Sequence, residues 1–263
     1  MTTVFSGHEP ADITRLAPAL LNPQDDSGIH IPVGLPLTLD PQPLFARLRR
    51  EAGSNILIVD EHGQGTLAVA VASLAKQGTT TDICDFVGDD DQWSASVTEL
   101  EQMNGVSVHG RRGVRQALAE LTQLIEERTD LGARKAEPRV LVIAAMGRAR
   151  DFDPNDYEEE SPSNLLGAIL RDGPEVGIHV VCWFDRATGL NKRLSREQIN
   201  EFGQRLVGQL TRDDSSMLID SDVASALKSG QGILADIDRA TESKLRMFGS
   251  PPAGWLARFG AEV

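Results

Sequence analysis

The sequence predicts an α/β domain: a mainly parallel sheet covered by helices on both faces, its last strands forming an antiparallel edge. Three observations predict it. Residues Ile56 to Val59, Val140 to Ile143 and Ile178 to Phe184 form nearly continuous apolar runs, as strands buried on both faces do. Helix-period stretches lie between such runs, the clearest being 113–129, with Val114, Leu118, Leu121, Leu124 and Ile125 at helical spacing. The first of the three strands passes through a short glycine loop straight into a helix. Strands that alternate with helices are joined by crossovers, and crossovers make neighbouring strands parallel.

In chain order, 1–28 is polar and irregular, with one short helix over 12–21 and a Pro/Gln/Asp-rich turn or linker at 22–28. Residues 29–39 alternate enough for a strand or small hairpin, interrupted by Pro32 and Pro36. Residues 43–51 read as a helix with Leu44, Phe45 and Leu48 on one face. Strand 55–59 then leads to helix 66–76, which Gly78 closes. Strand 81–87, an acidic turn at 88–91, helix 93–103, strand 105–109 and helix 113–129 follow. Strand 139–146 precedes a loop, 147–162. Helix 164–171, strand 178–184 and helix 195–202 come next, the last opened by a capping box of Ser195 and Gln198. Strand 205–210, helix 221–227 and strands 232–235 and 243–248 finish the core. The tail, 251–263, carries Trp255 and Phe259.

A chain of 263 residues, 40% apolar and 25% charged, is long enough to bury a substantial core. Its net charge of −13 opposes binding to a DNA backbone, where affinity comes from Lys and Arg displacing counterions, but leaves room for a local basic patch. The best such patch is Arg111, Arg112 and Arg115, with Arg148 and Arg150; as a solvated helix end it needs no ligand. No apolar run is long enough to cross a bilayer, and 1–10 lacks the basic start and apolar centre of a signal peptide. Cys84 and Cys182 lie in strand-like runs, as buried small hydrophobes in a reducing cytosol do.

The glycine loop gives the first functional signal. A strand, a glycine loop and a helix form the context of a phosphate-binding P-loop, G-x-x-x-x-G-K-[ST]. Laid over 60–67, the first glycine falls on Asp60, the second on Gly65, the lysine on Thr66 and the hydroxyl on Leu67, with Gly63 inside the loop. Thr66 carries no charge for the β/γ-phosphates, and Leu67 has no oxygen for Mg²⁺. Asp60 and Glu61 put carboxylates where a polyanion would lie; two like charges about 4 Å apart repel by ~4 kcal/mol at an effective dielectric near 20. The loop alone leaves two readings open: a strand-turn-helix that never held phosphate, or a P-loop that has lost its chemistry.

Strand 139–146 bears on that choice. In a P-loop ATPase the corresponding strand ends in acidic residues, for Mg²⁺ and for the attacking water. Here it ends in Ala144 and Ala145, which can do neither. The acids that follow, Asp151, Asp153, Asp156, Glu158, Glu159 and Glu160, read as a solvated loop. They imitate the start of a calcium loop but lack its glycine and are broken by Pro154. No metal site is expected. The five histidines show no H-E-x-x-H pairing, and no G-x-S-x-G is present.

A third stretch carries a family resemblance. Within 172–186, Gly177, Ile178 and His179 precede an apolar strand that ends in Asp185 and Arg186. This resembles the GIH–strand–QRP segment of FtsK/SpoIIIE-type translocase ATPases, with Asp185 where that family usually has glutamine. Residues 200–220 resemble its NFP–x–RI…DS–x–x–ILD stretch, 222–232 its A–x–x–L–x–G–x–G segment, and 29–35 its IPxGxD lead-in. The blocks keep the family's order over 29–247, and the departures fall on catalytic positions.

The resemblance implies a RecA-like P-loop fold in a degenerate member, similar to the inactive later ATPase domains of type VII secretion motors. It implies a degenerate nucleotide pocket at Asp60, Gly63, Gly65, Thr66 and Leu67, a degenerate Walker B pair at Ala144 and Ala145, and no catalytic residue. Asp185 and Arg186 become candidates for a sensor or a residue acting in trans, and His179 is structural. Binding of ATP and Mg²⁺ is expected to be lost. The division expected is a linker at 1–28, an ATPase-like domain at 29–250 and a tail at 251–263. Expected partners are proteins: active ATPase domains in tandem or in a ring, or a client held at the vacant pocket. DNA enters only through the wider motor. The expected location is the cytoplasm, as the cytosolic part of a membrane-associated motor or free of it.

Overall fold

The computed structural model describes residues 9–16, 21, 28–38, 42–88, 91–132, 136–154, 158 and 160–261. The strands are β1 (Ile29–Pro36), β2 (Leu44–Leu48), β3 (Ile56–Val59), β4 (Thr80–Asp85) and β5 (Val106–His109). They continue with β6 (Arg139–Ala144), β7 (Ile178–Phe184), β8 (Gln204–Val207), β9 (Gln231–Asp236) and β10 (Thr241–Met247). The helices are α1 (Gln64–Lys76), α2 (Asp91–Leu100), α3 (Val114–Asp130) and α4 (Pro162–Asp172), then α5 (Arg196–Asn200), α6 (Arg212–Ile219) and α7 (Trp255–Ala261).

All ten strands join one sheet in the order β2-β1-β10-β9-β8-β3-β7-β6-β4-β5. From β8 to β5 every pairing is parallel. From β8 to β2 every pairing is antiparallel. The antiparallel part is therefore a four-strand extension rather than a thin edge. It curls: the Gln204 amide on β8 accepts from the Arg47 N–H at 2.9 Å and donates to the Arg47 carbonyl, so the free side of β2 returns over β8.

A core lies on each face of the sheet. One holds α1, α2 and α7 with Leu67, Val71, Leu74, Trp93, Trp255 and Phe259. The other holds α3 to α6 with Leu118, Leu121, Leu166, Ile169, Phe202 and Leu218. Two buried polar side chains fix helices to strands. Asn55, just before β3, donates to the carbonyls of Leu170 (3.0 Å) and Glu201 (2.9 Å) and accepts from the Val180 N–H (2.8 Å). Arg205 on β8 donates to the carbonyls of Phe202 (3.1 Å), Leu218 (2.6 Å) and Ile199 (3.0 Å). Its charge thus meets the negative ends of α5 and α6.

The α/β alternation predicted from sequence is present, with several local corrections. Residues 43–51 hold strand β2, not a helix: Ala46 and Leu48 are buried on one face while Arg47 between them is exposed, a period of two. β1 runs through Pro32, where its pairing with β2 is bulged. The helix expected over 12–21 is a 3-10 turn, Ile13–Arg15, capped by Asp12; 17–20 lie outside the described residues, as do 1–8 and 22–27 of the expected linker. Helix α6 went unpredicted, and 221–227 holds only a 3-10 turn, Val223–Ala226. Asp220, at φ 53, ends α6 and reverses the chain there. The tail residues Trp255 and Phe259 stack at 5.1 Å and are buried in the core beside α1. The Glu99 carboxylate accepts the N–H groups of Gly254 (2.5 Å) and Ala257 (3.0 Å) and so holds α7 in place.

No helix among the described residues is long and apolar enough to cross a membrane. Among the described residues no three His, Cys, Asp or Glu side chains are grouped to hold a metal ion. Asp156 and Glu159 of the acidic loop lie outside the described residues.

Candidate functional site

The site lies where β3 meets α1. β3 runs between β8 and β7 and stops at Val59; residues 60–63 turn and α1 begins at Gln64. α1 is buried from Gly65 to Leu74, so its start is fixed by packing on nearly all sides.

The turn is hydrogen-bonded to its own carboxylate. Asp60 Oδ1 accepts from the His62 N–H at 2.8 Å, and the Asp60 carbonyl accepts from the Gly63 N–H at 3.3 Å. The Asp60 carboxyl is pushed above its usual range by burial, and the His62 N–H bond opposes that push. Its other oxygen, Oδ2, lies 1.8 Å from where a Cβ on Gly208 would stand. Gly208 therefore makes the room that this inward carboxylate occupies.

The two loop glycines serve close packing. Neither has a positive φ, and Gly63 itself is helical at φ −62. A Cβ on Gly63 would stand 2.6 Å from Trp183 Nε1, and one on Gly65 would stand 2.4 Å from the Gly249 carbonyl carbon. Trp183, on β7, lies beneath the turn and donates its indole N–H to the Asp60 carbonyl at 2.8 Å. From the other side comes the strap 248–250, the segment after β10. The Thr66 hydroxyl accepts from the Phe248 N–H at 3.1 Å and lies 3.5 Å from the Phe248 carbonyl. Thr66 and Leu67 are both 0% exposed. Leu67 belongs to the core.

The other predicted positions lie at the same edge of the sheet. β7 separates β6 from β3. Ala144 ends β6, and Ala145 follows with a left-handed φ of 55; both are 0% exposed. Asp185 Oδ2 accepts from Arg148 Nε (3.2 Å) and Nη2 (3.1 Å), while Arg148 Nη1 donates to the Val87 carbonyl. The Arg186 guanidinium lies 4.0 Å from the Glu61 carboxylate, with both side chains well exposed. Its acidic neighbour is thus in the turn between β3 and α1 of the same chain, an exposed pair contributing about 0–1 kcal/mol.

Within the basic cluster, Arg111 stands over the Phe86 ring at 5.8 Å, and Arg115 pairs with Glu158 at 2.6 Å and Glu160 at 3.7 Å. With Arg148 on Asp185, three of the five arginines are engaged within the chain, which weakens the patch as a nucleic-acid contact. His179 is structural, as expected: Nδ1 lies 2.8 Å from the Ser54 carbonyl, and burial pulls its pKa down to about 4. His62 is exposed. Sequence reasoning did not find Trp183, Gly208 or the strap. Glycine at 249 and the single tryptophan in a buried strand were the only signals available.

No protein-family model matches the sequence, and no curated protein matches it. Solved structures do match, and they show the fold, that of RecA-like P-loop NTPases. The pCW3 conjugation coupling protein TcpA, solved as a monomer with ATPgS, superposes with a TM-score of 0.61 at 16% identity, over 87% of this chain and 69% of TcpA. EssC (ATPases 2 and 3) from Geobacillus thermodenitrificans gives 0.64 at 13% identity, over 94% of this chain and 51% of EssC. The cytoplasmic domain of the type VII secretion ATPase EccC from Thermomonospora curvata gives 0.58 at 16% identity, over 90% of this chain and 30% of EccC. The chain thus spans about half or less of the EssC and EccC chains it resembles, and at these identities the likeness establishes the fold.

Proposed function

We propose that the chain is a pseudo-ATPase module of a translocase or secretion-type motor, using the RecA-like scaffold as a protein-docking body without binding nucleotide. One observation carries this reading. The space at the start of α1 is taken by the chain's own groups: Trp183 beneath, the strap 248–250 against Gly65 and Thr66, and the Asp60 carboxylate on the His62 N–H. No lysine lies on the loop and no acid ends β6, so charge neutralisation and water activation both lack a residue. A metal-nucleotide would have to displace the strap and face Asp60 and Glu61. The partners in this reading are active ATPase domains, beside the module in tandem or in a ring, and Arg186, which is exposed, is the group that would act on a neighbour.

The test is steady-state ATP hydrolysis by the chain alone, then by an active motor domain with and without it. The reading expects no turnover alone and a changed rate in the mixture, with Arg186→Ala reducing that change. Turnover above background by the purified chain overturns it.

A further inference from the structure

The strap over α1 is itself covered by a third layer. Ala11 bridges Phe248 in parallel: its N–H donates to the Met247 carbonyl at 2.7 Å, and its carbonyl accepts from the Gly249 N–H at 3.1 Å. Pro10 lies against two glycines. A Cβ on Gly249 would stand 3.3 Å from Pro10 Cβ, and one on Gly230 would stand 2.9 Å from Pro10 N. Arm, strap and loop are therefore stacked, with glycine at each crossing: Gly230 and Gly249 under the arm, Gly65 under the strap. At Gly65 and Gly230 a Cβ would meet backbone at under 3 Å, while at Gly249 it would press on the Pro10 ring.

The layers differ in how firmly they are held. The loop belongs to β3 and α1, at the centre of the sheet. The strap continues β10 and is tied inward through Thr66. Among the described residues, the arm, 9–16, is held by one isolated bridge, a 3-10 turn and the buried side chains of Ala11, Ile13 and Leu16. A segment with few backbone bonds opens locally at lower free energy than the sheet it lies on.

We infer that the arm is a latch: docking of Pro10 and Ala11 holds the strap on the nucleotide loop, and release of the arm uncovers Gly65 and Thr66 without unfolding the sheet. This rests on the reading that the strap occupies the former nucleotide position, and it adds what controls that occupation. Whatever engages the chain around residues 9–11, a partner domain or tension along the backbone, then acts on α1 through the strap. A nucleotide's phosphates act on the same helix end in a working ATPase.

Hydrogen exchange measured by mass spectrometry on the full chain tests it. Ala11→Pro removes the N–H that the Met247 carbonyl accepts; deletion of residues 1–11 is the second variant, should the first fail to fold. Exchange in peptides spanning 246–251 and 60–67 should rise together by about tenfold, while β6 and β7 keep their protection. Thr66→Val, which cuts only the inner link, should loosen 60–67 and leave 11–16 protected. Unchanged exchange in 60–67 after arm release would overturn the latch, as would a uniform rise across the sheet. Binding of ATP by the parent chain would instead strike the pseudo-ATPase reading, and the exchange result would stand apart from it.

Discussion

The Thr66 hydroxyl and the Phe248 N–H are hydrogen-bonded at 3.1 Å, across the position where a P-loop lysine would leave the backbone. In the proposed pseudo-ATPase reading, the residue at the lysine's place is thus committed to another segment of the fold.

Restoring the lysine should therefore not restore the site. Thr66→Lys would place an ammonium at a position 0% exposed, facing the strap. A buried charge without a partner costs on the order of 3–5 kcal/mol. Denaturant unfolding should show a loss of that order, and the variant should gain no affinity for Mg-ATP. A Thr66→Lys protein as stable as the parent that binds nucleotide would show that the strap yields easily.

Asp60 and Gly208 should be coupled. With Asp60 Oδ2 1.8 Å from the missing Cβ, Gly208→Ala should destabilise by about 1–3 kcal/mol, the usual range for overpacking. In an Asp60→Gly background the same change should cost far less, giving a coupling of roughly 1–2 kcal/mol in a double-mutant cycle. Equal costs in both backgrounds would mean that the carboxylate does not fill that space.

His179 sets an acid limit. Burial lowers its folded pKa to about 4, from an ordinary value of 6.5. Between those values the unfolded chain binds the extra proton, so stability rises with pH across that window and falls as pH drops through it, by roughly 3 kcal/mol in all. Unfolding free energies measured from pH 4 to 7 should show this slope, and His179→Gln should flatten it. An unchanged slope in that variant would move the effect to other groups.

Arg205 should matter more than its charge suggests. Its three carbonyl bonds join the ends of α5 and α6 to β8. Arg205→Met keeps the apolar stem and removes every one of them, for an expected loss of about 2–4 kcal/mol. A neutral result in thermal unfolding would mean that those carbonyls find water instead.

Much of this was legible in the sequence, and the reasons are local. Continuous apolar runs identified β3, β6 and β7, because strands buried on both faces admit little else. The loop's missing lysine, hydroxyl and acids could be read directly, since a motif is defined by residue type at a spacing. The errors came where tertiary context overrode local pattern. Residues 44–48 carry apolar groups that fit either period, and only pairing with β1 makes them a strand. α6 buries just Ser215, Leu218 and Ile219, too few to announce a helix. The strap contacts α1 across 182 positions of sequence, from Phe248 to Thr66, and no periodicity encodes such a contact. Gly63 and Gly65 were visible, but nothing local announces that the absence of a Cβ there makes room for Trp183 and Gly249.

Calorimetric titration of the purified chain with ATP and with a non-hydrolysable analogue, each with Mg²⁺, tests the central claim most directly. A cradle filled by strap, indole and carboxylate predicts no binding heat up to high micromolar nucleotide. Saturable, Mg²⁺-dependent heat would contradict it, because the strap would then have to leave Thr66 and charges from elsewhere would have to hold the phosphates.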